Sequence, residues 1–242
     1  MAPKERGYML VVGGIDIGNR LDIGQRVINA INTFPVIVVE NISNFNKLCY
    51  DLKIDPSAEL IEYYAPMDPI EEDIIVSVIF NYLDNGVDIL ILTDDGMPGV
   101  ADPGGRIINM AHEHGHRVSV IPGPSIVSTL PAVLGVDSRS FTFEDELPAG
   151  RPERLQKLQK LYSEGRGVVF IVKNRRDENA NFKTILKDIE LVLPSHNAIG
   201  VGLNLTMPNE LIIKSTVGDL LSSLDHYNFT QQDFISVYID CR

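Results

Sequence analysis

The sequence predicts an α/β protein built as two α/β domains, and three observations carry that expectation. Short Val- and Ile-rich runs alternate with helix-periodic segments over the first 120 residues, the pattern of crossover units in a parallel sheet whose two faces are both covered. Pro122-Gly123-Pro124 then breaks the alternation; two prolines around a glycine continue neither a helix nor a central strand. Beyond it, strands crowd toward the C-terminus, which suggests a more mixed sheet. The expected domains are 1–121 and 122–242.

In the first half, Tyr8–Val12, Val36–Glu40, Leu60–Tyr64, Val87–Leu92 and Arg117–Ile121 read as strands. Gln25–Asn32, Ser43–Leu52, Pro69–Asn85 and Gly104–His114 read as helices. In Pro69–Asn85 the residues Ile70, Ile74, Ile75, Val78, Ile79 and Tyr82 fall on one face, the expected core face, and Asn85-Gly86 supplies the stop. In the second half, helices are expected at Ser125–Leu134, Pro152–Ser163, Asn179–Val192 and Val217–Leu224. Strands are expected at Ser140–Glu144, Gly167–Val172, Asn197–Leu203, Glu210–Ser215 and Asp233–Ile239.

The 242 residues are 44% hydrophobic and 22% charged, an ordinary globular composition. No apolar run approaches the about 20 residues a spanning helix needs, and the N-terminus shows no signal-peptide pattern; the expectation is a cytoplasmic protein with no membrane partner. Cys49 and Cys241 lie at opposite ends of the chain and read as ordinary thiols. The net charge is −12, not the basic footprint of a dedicated nucleic-acid binder. It is unevenly spread: residues 54–102 hold twelve acids and no Lys or Arg, whereas 151–187 hold ten Lys or Arg and four acids. The basic stretch is compatible with an anionic partner, and solvated helix faces account for it equally well.

Three segments carry chemistry. Gly13-Gly14-Ile15-Asp16-Ile17-Gly18 follows the first strand, where bare backbone lets a ligand approach closely. Its spacing is not that of a dinucleotide fingerprint, although Glu40 imitates the ribose-binding acid. Thr93 to Gly105 follows a buried strand and packs four glycines, two prolines and three aspartates into thirteen residues. A plain connection needs only about 2–6 residues, and these carboxylates suit a cationic ligand or ribose hydroxyls; a turn-rich loop with capping aspartates is the structural alternative. Pro122-Gly123-Pro124-Ser125 places Ser125 as a helix N-cap rather than a nucleophile, because the surroundings are not G-x-S-x-G. The run His112-Glu113-His114-Gly115-His116 ends a helix, and no metal site is read there.

Taken together these segments resemble the tetrapyrrole (corrin/porphyrin) methylase superfamily, and within it the branch that methylates a cytidine 2′-hydroxyl of small-subunit ribosomal RNA. That branch's D-x-G-x-P-x-x-x-D-P-G is matched by Asp94, Gly96, Pro98 and Asp102-Pro103-Gly104, and its P-G-P-S by Pro122 to Ser125. Its P-I-G-N and L-x-D-I-T-x-R are similar to Asp16–Asn19 and Leu21–Arg26. Its G-L-x-x-x-x-F and F-L-P-A are similar to Gly135-Val136, Phe141 and Leu147-Pro148-Ala149. The resemblance implies a tetrapyrrole-methylase-like fold with S-adenosylmethionine (SAM) in the cleft between the domains. It implies contacts at Gly14, Ile15, Asp94, Gly96, Met97, Ala101, Asp102, Ser125 and Ile126, and near Val172 and Gly202, and it implies a homodimer.

Other tracts depart from the branch. E-D-T-R is Glu40-Asn41-Ile42-Ser43, F-Y-E-S-P-H-R is Ile171–Asp177, and E-L-T-K is Asn204–Met207. A sugar hydroxyl benefits from a placed base, and the rewritten tracts leave none identified. Lys173, Arg175, Arg176 and Glu210 are the remaining charged candidates near that wall, each equally at home on a surface. Three functions stay open: a SAM-dependent methyltransferase acting on RNA, one of the same fold acting on a small molecule or protein, and a SAM-binding protein without activity.

Overall fold

The Val- and Ile-rich runs of the first half form strands, and all of them lie parallel. β1 (Met9–Gly13), β2 (Val36–Val39), β3 (Glu59–Glu62), β4 (Ile89–Ile91) and β5 (Arg117–Ile121) make one sheet in the order β3-β2-β4-β1-β5. The computed structural model describes residues 9–136, 139–173, 181–227, 229–230 and 233–242, with the side chain of Lys173 outside that set. The chain divides into two units, Met1–Ser125 and Ile126–Arg242, so the Pro122–Ser125 turn goes with the first.

Strand alternation sorts the first core into two layers. Leu10, Val36, Val38, Ile89 and Ile91 face α3 (Pro69–Asp84) and α4 (Gly105–Glu113). Val11, Ile37, Val39, Leu90 and Leu92 face α1 (Gln25–Thr33) and α2 (Ile42–Leu52). Successive side chains of a strand point to opposite faces, so burial of both faces yields the continuous apolar runs. From β1 the chain crosses one face toward β2, and from β4 it crosses the other face toward β5. That reversal opens a crevice at the carboxyl ends of β1 and β4, where open α/β sheets bind ligands.

Helix α3 corrects one expectation. Its cap is as the sequence suggests: the Asp68 carboxylate accepts from the N–H groups of Ile70 and Glu71, and Pro69 opens the first turn. The buried face, however, is Val76, Ile79, Phe80 and Leu83, while Ile70, Ile74 and Val78 are 73%, 59% and 41% exposed. The helix is apolar nearly all round, so periodicity offers two stripes, and the sheet takes the one that includes Phe80.

The second unit holds α5 (Ile126–Leu134), β6 (Phe141–Glu146), α6 (Arg151–Ser163), β7 (Gly167–Lys173), α7 (Phe182–Val192), β8 (Ala198–Leu203), β9 (Leu211–Thr216), α8 (Val217–Ser223) and β10 (Phe234–Asp240). Its sheet runs β6-β7-β10-β8-β9, parallel only between β6 and β7. Helices α6, α7 and α8 cover one face and α5 the other. A fully buried ion pair ties α6 to α7: Arg154 donates through Nε and Nη2 to Asp188 and through Nη1 to the carbonyls of Pro148 and Ala149. Cys49 and Cys241 are buried free thiols, one in each unit.

Candidate active site

The site of the first unit is built from the loops that leave β1, β4 and β5. Gly14 N–H donates to the Ile121 carbonyl, extending the β1–β5 pairing into the loops. Backbone meets backbone there: a Cβ on Gly123 would lie 2.6 Å from the Gly14 carbonyl carbon, and one on Gly14 would overlap Met97 Sδ and the Gly123 backbone. Both positions therefore need glycine for close approach rather than for a special φ. The β1 and β4 loops are clamped reciprocally, Ile15 N–H to the Gly96 carbonyl and Gly96 N–H to the Asp16 carbonyl, each at 2.9 Å. Beyond the clamp the β4 loop turns through left-handed residues at Gly96, Gly99, Ala101 and Gly104. Gly99 N–H bonds the Pro103 carbonyl, which folds the loop back on itself.

Four carboxylates gather at this edge, and three are already engaged. Asp16, fully buried, accepts from Arg20 Nη1 at 2.6 Å and from Gly18 N–H. Asp94 accepts from Asn44 Nδ2, and its own N–H donates to Glu40 Oε2. Asp95 is different: no described residue donates a hydrogen bond to its carboxylate, although solvent reaches it. It sits in a concave wall, where protein displaces much of its hydration. That desolvation, and then the charges of Asp16 and Asp94, push its carboxyl up to about 6, with Glu40 adding to the rise and Arg20 opposing it. A cavity of about 170 Å³ opens beside it. Ile15, Val39, Phe45, Leu48 and Leu92 give it an apolar floor, and Arg20, Asn44, Lys47, Asp94 and Asp95 its polar wall.

The structure places the expected positions as follows. Gly14, Ile15, Asp94, Gly96 and Met97 come together across the clamp, with Ala101 and Asp102 farther along the β4 loop and Ser125 directly before α5. In the second unit, Ile126 is the first residue of α5 and packs with Leu130 and Leu134. Val172 and Gly202 lie on the two strands that flank β10. Val172 points into the core, and the space a Gly202 side chain would take is filled by Leu205; only backbone is offered at these two places. Of the charged candidates, Glu210 accepts from Thr206 N–H and so closes the β8–β9 turn. Arg175 and Arg176 lie outside the described residues, as does the side chain of Lys173.

The basic stretch is less basic than its composition suggests. Besides Arg154, Arg151 pairs with Asp188, Lys157 with Glu144 and Lys183 with Asp225. Within the histidine run, His114 and His116 pack on the Phe80 ring while His112 and His114 stay exposed, and His116 Nε2 lies 3.0 Å from Asp84. The sequence reading counted Asp95 among the three loop aspartates without separating it from Asp94, and did not single out Lys47, an isolated helix lysine that lines the cavity.

Comparison with known proteins supplies the class. The family model of tetrapyrrole (corrin/porphyrin) methylases matches residues 9–221, and the chain belongs to that family; it is a methyltransferase. Similar proteins include the ribosomal RNA small subunit methyltransferase I of Leptospira borgpetersenii, 27% identical over 92% of this chain and 85% of its own length. The protein of the same name from Borrelia garinii is 30% identical over 69% of this chain and 72% of its own. Among solved structures, diphthine synthase superposes with a TM-score of 0.70 at 12% identity, covering 96% of this chain and 90% of the other. The methyltransferase CobJ superposes with a TM-score of 0.67 at 14% identity, covering 97% and 94%; likeness at such identity concerns the fold alone.

Proposed function

We propose that the protein transfers a methyl group from SAM to a ribose 2′-hydroxyl of ribosomal RNA. The observation that carries the reading is the clamped, glycine-bared edge of the first sheet with its aspartates. SAM supplies an electrophilic methyl group on a cationic sulfonium, and the residues present suit it. Space is open around Gly105, and the Asp94 and Asp102 carboxylates favour positive charge. Gly14, Ile15, Gly96, Met97 and Ala101 would offer backbone and apolar contact to the nucleoside and methionine parts, with Ser125 at the start of α5. For Ile126, Val172 and Gly202 the assignment rests on the motif resemblance alone. The RNA acceptor is supported by the names of the relatives, and such an acceptor belongs to the cytoplasm. No described helix is long and apolar enough to cross a membrane.

Incubating the protein with methyl-labelled SAM and fractions of a cell extract tests the reading. Label should enter small-subunit ribosomal RNA. Label confined to protein or small molecules would move the acceptor to the other class, and no SAM binding by calorimetry would end the proposal.

We also infer a homodimer formed through α3. Ile70, Ile74 and Val78 expose an apolar stripe along a groove that also holds Asp73, Ser77, Asn81 and Tyr82. A two-fold pairing of this face would bury Ile70, Ile74 and Val78 of both copies against one another. Ile74→Glu should convert a dimer to a monomer by analytical ultracentrifugation; an unchanged mass would exclude this face.

A further inference from the structure

The fold divides charge between the two faces of the first sheet. On one face, α3 carries Glu71, Glu72, Asp73 and Asp84 with no Lys or Arg, and Arg106 of α4 is held by Glu72 and Asp73. Every described Lys or Arg before Asp102, namely Arg20, Arg26, Lys47 and Lys53, belongs to the other face, on α1, α2 and the turn Arg20–Asp22. Arg26, Lys47 and Lys53 are exposed, and their side chains make no hydrogen bond or ion pair among the described residues. The cations Arg151, Lys157 and Lys183 of the second unit are instead paired with acids. Leu21 and Tyr50 are 91% and 83% exposed, more than any other large apolar side chain described. Burial of apolar area, which stabilises a fold, is not gained at either. The Arg20–Asp51 ion pair ties the turn to α2, and Leu21 and Tyr50 each adjoin one member of that pair in the chain. Helix α2 starts at the site: Asn44 in its first turn donates to Asp94, and Lys47 lines the cavity beside the β4 loop. Tyr50 follows three residues on and Lys53 three more, so the row from Asn44 to Lys53 leads about 14 Å away from the sheet edge.

We infer that this face, with Leu21, Arg26, Lys47, Tyr50 and Lys53, is where a single RNA strand lies as it leads into the methyl-transfer site. The inference rests on the methyl-transfer reading above and names the surface that its acceptor crosses. A single strand is held by cations that track its phosphates and by flat side chains on which its bases stack. Arg26, Lys47 and Lys53 supply unspent positive charge, the exposed Tyr50 ring a stacking platform, and Leu21 apolar contact to a base face. Of the acids nearby, Asp16 and Asp51 are neutralised by Arg20, which leaves Asp22 and Asp55 against three free cations. The acidic α3 face repels the same strand. A two-fold pairing of the α1–α2 face would bring the same unpaired cations from both copies into one interface, whereas phosphates neutralise them. The surface for RNA is thus not the stretch 151–187 whose composition is basic, because pairing within the fold has already spent much of that charge.

The test measures binding of the full chain to purified small-subunit ribosomal RNA by fluorescence anisotropy, without SAM, from about 50 to 200 mM salt. Lys47→Gln and Lys53→Gln should each reduce the slope of log affinity against log salt by about 1. Tyr50→Ala should weaken binding about five- to hundredfold with the slope unchanged, since stacking releases no counterions, and Tyr50→Phe should restore it. Lys157→Gln and Lys183→Gln, on the paired stretch, should keep the parent's slope. All these side chains are at least partly exposed, and matching urea midpoints check that the fold holds. With labelled SAM, Tyr50→Ala should raise KM for RNA and leave kcat in place. Affinity and slope unmoved by the α2 variants, a slope lowered by the Lys157 and Lys183 variants instead, or a Tyr50→Ala that changes the oligomer's mass but not RNA binding would each overturn the inference, as would a parent that binds no RNA. Label entering small-subunit ribosomal RNA while the α2 variants bind as the parent does would sink this surface alone and leave the methyl-transfer proposal standing.

Discussion

The two sheets handle their polar groups in opposite ways. In the second unit, two buried side chains are fully engaged: Arg154 spends its guanidinium on Asp188 and two carbonyls, and Asn204 exchanges bonds with Asp233 and the Phe234 N–H. In the first unit, the carboxyl edge of the sheet keeps four carboxylates close together and leaves one of them, Asp95, without a donor. Like charges held together cost stability, and such costs persist where a site needs them. The contrast is the ground on which the edge of the first sheet is proposed as the site.

The sharpest way to break that contrast is to open the closed network. Asp188→Ala strands the Arg154 guanidinium in the core and should cost about 3–5 kcal/mol in urea unfolding. A paired Arg154→Met, Asp188→Leu replacement should recover most of it, since an apolar pair of similar volume removes both charges. Next comes the backbone contact under the first site. Gly123→Ala drives a methyl group into the Gly14 backbone, and overpacking of this kind costs about 1–3 kcal/mol. Calorimetry should show lost SAM binding before the fold is lost.

The smallest effect is the most diagnostic. Asp95 binds its proton more tightly in the folded chain than in the unfolded one, so this group's contribution to stability falls as pH rises from about 4 to about 6 and stays low above. Asp95→Asn should therefore unfold at higher urea than the parent at pH 7, with the gap closing below pH 4. A variant no more stable than the parent at pH 7 would mean that the Asp95 charge carries no cost in the fold.

Much of this was legible in the residues. Strand runs such as Val36–Val39, the Asp68-Pro69 start of α3, and the turn-rich stretch from Thr93 to Gly105 all carry local signals. A cap, a period of two and a bare glycine act over a few residues. The glycine and aspartate motif also pointed to the loops at the sheet's carboxyl edge, which the structure clamps together. What escaped depended on distance. The core face of α3 could not be chosen by period, because Ile74 and Phe80 satisfy the pattern on opposite sides.

By itself, then, the sequence determined the order and kind of the elements and the loops that carry polar chemistry, since backbone preferences and side-chain alternation are short-range. Only the tertiary structure decided that β4 lies between β2 and β1, that Arg154 meets Asp188, and that Asp95 and Lys47 line one cavity. Those outcomes depend on residues tens of positions apart, and packing rather than propensity brings them together.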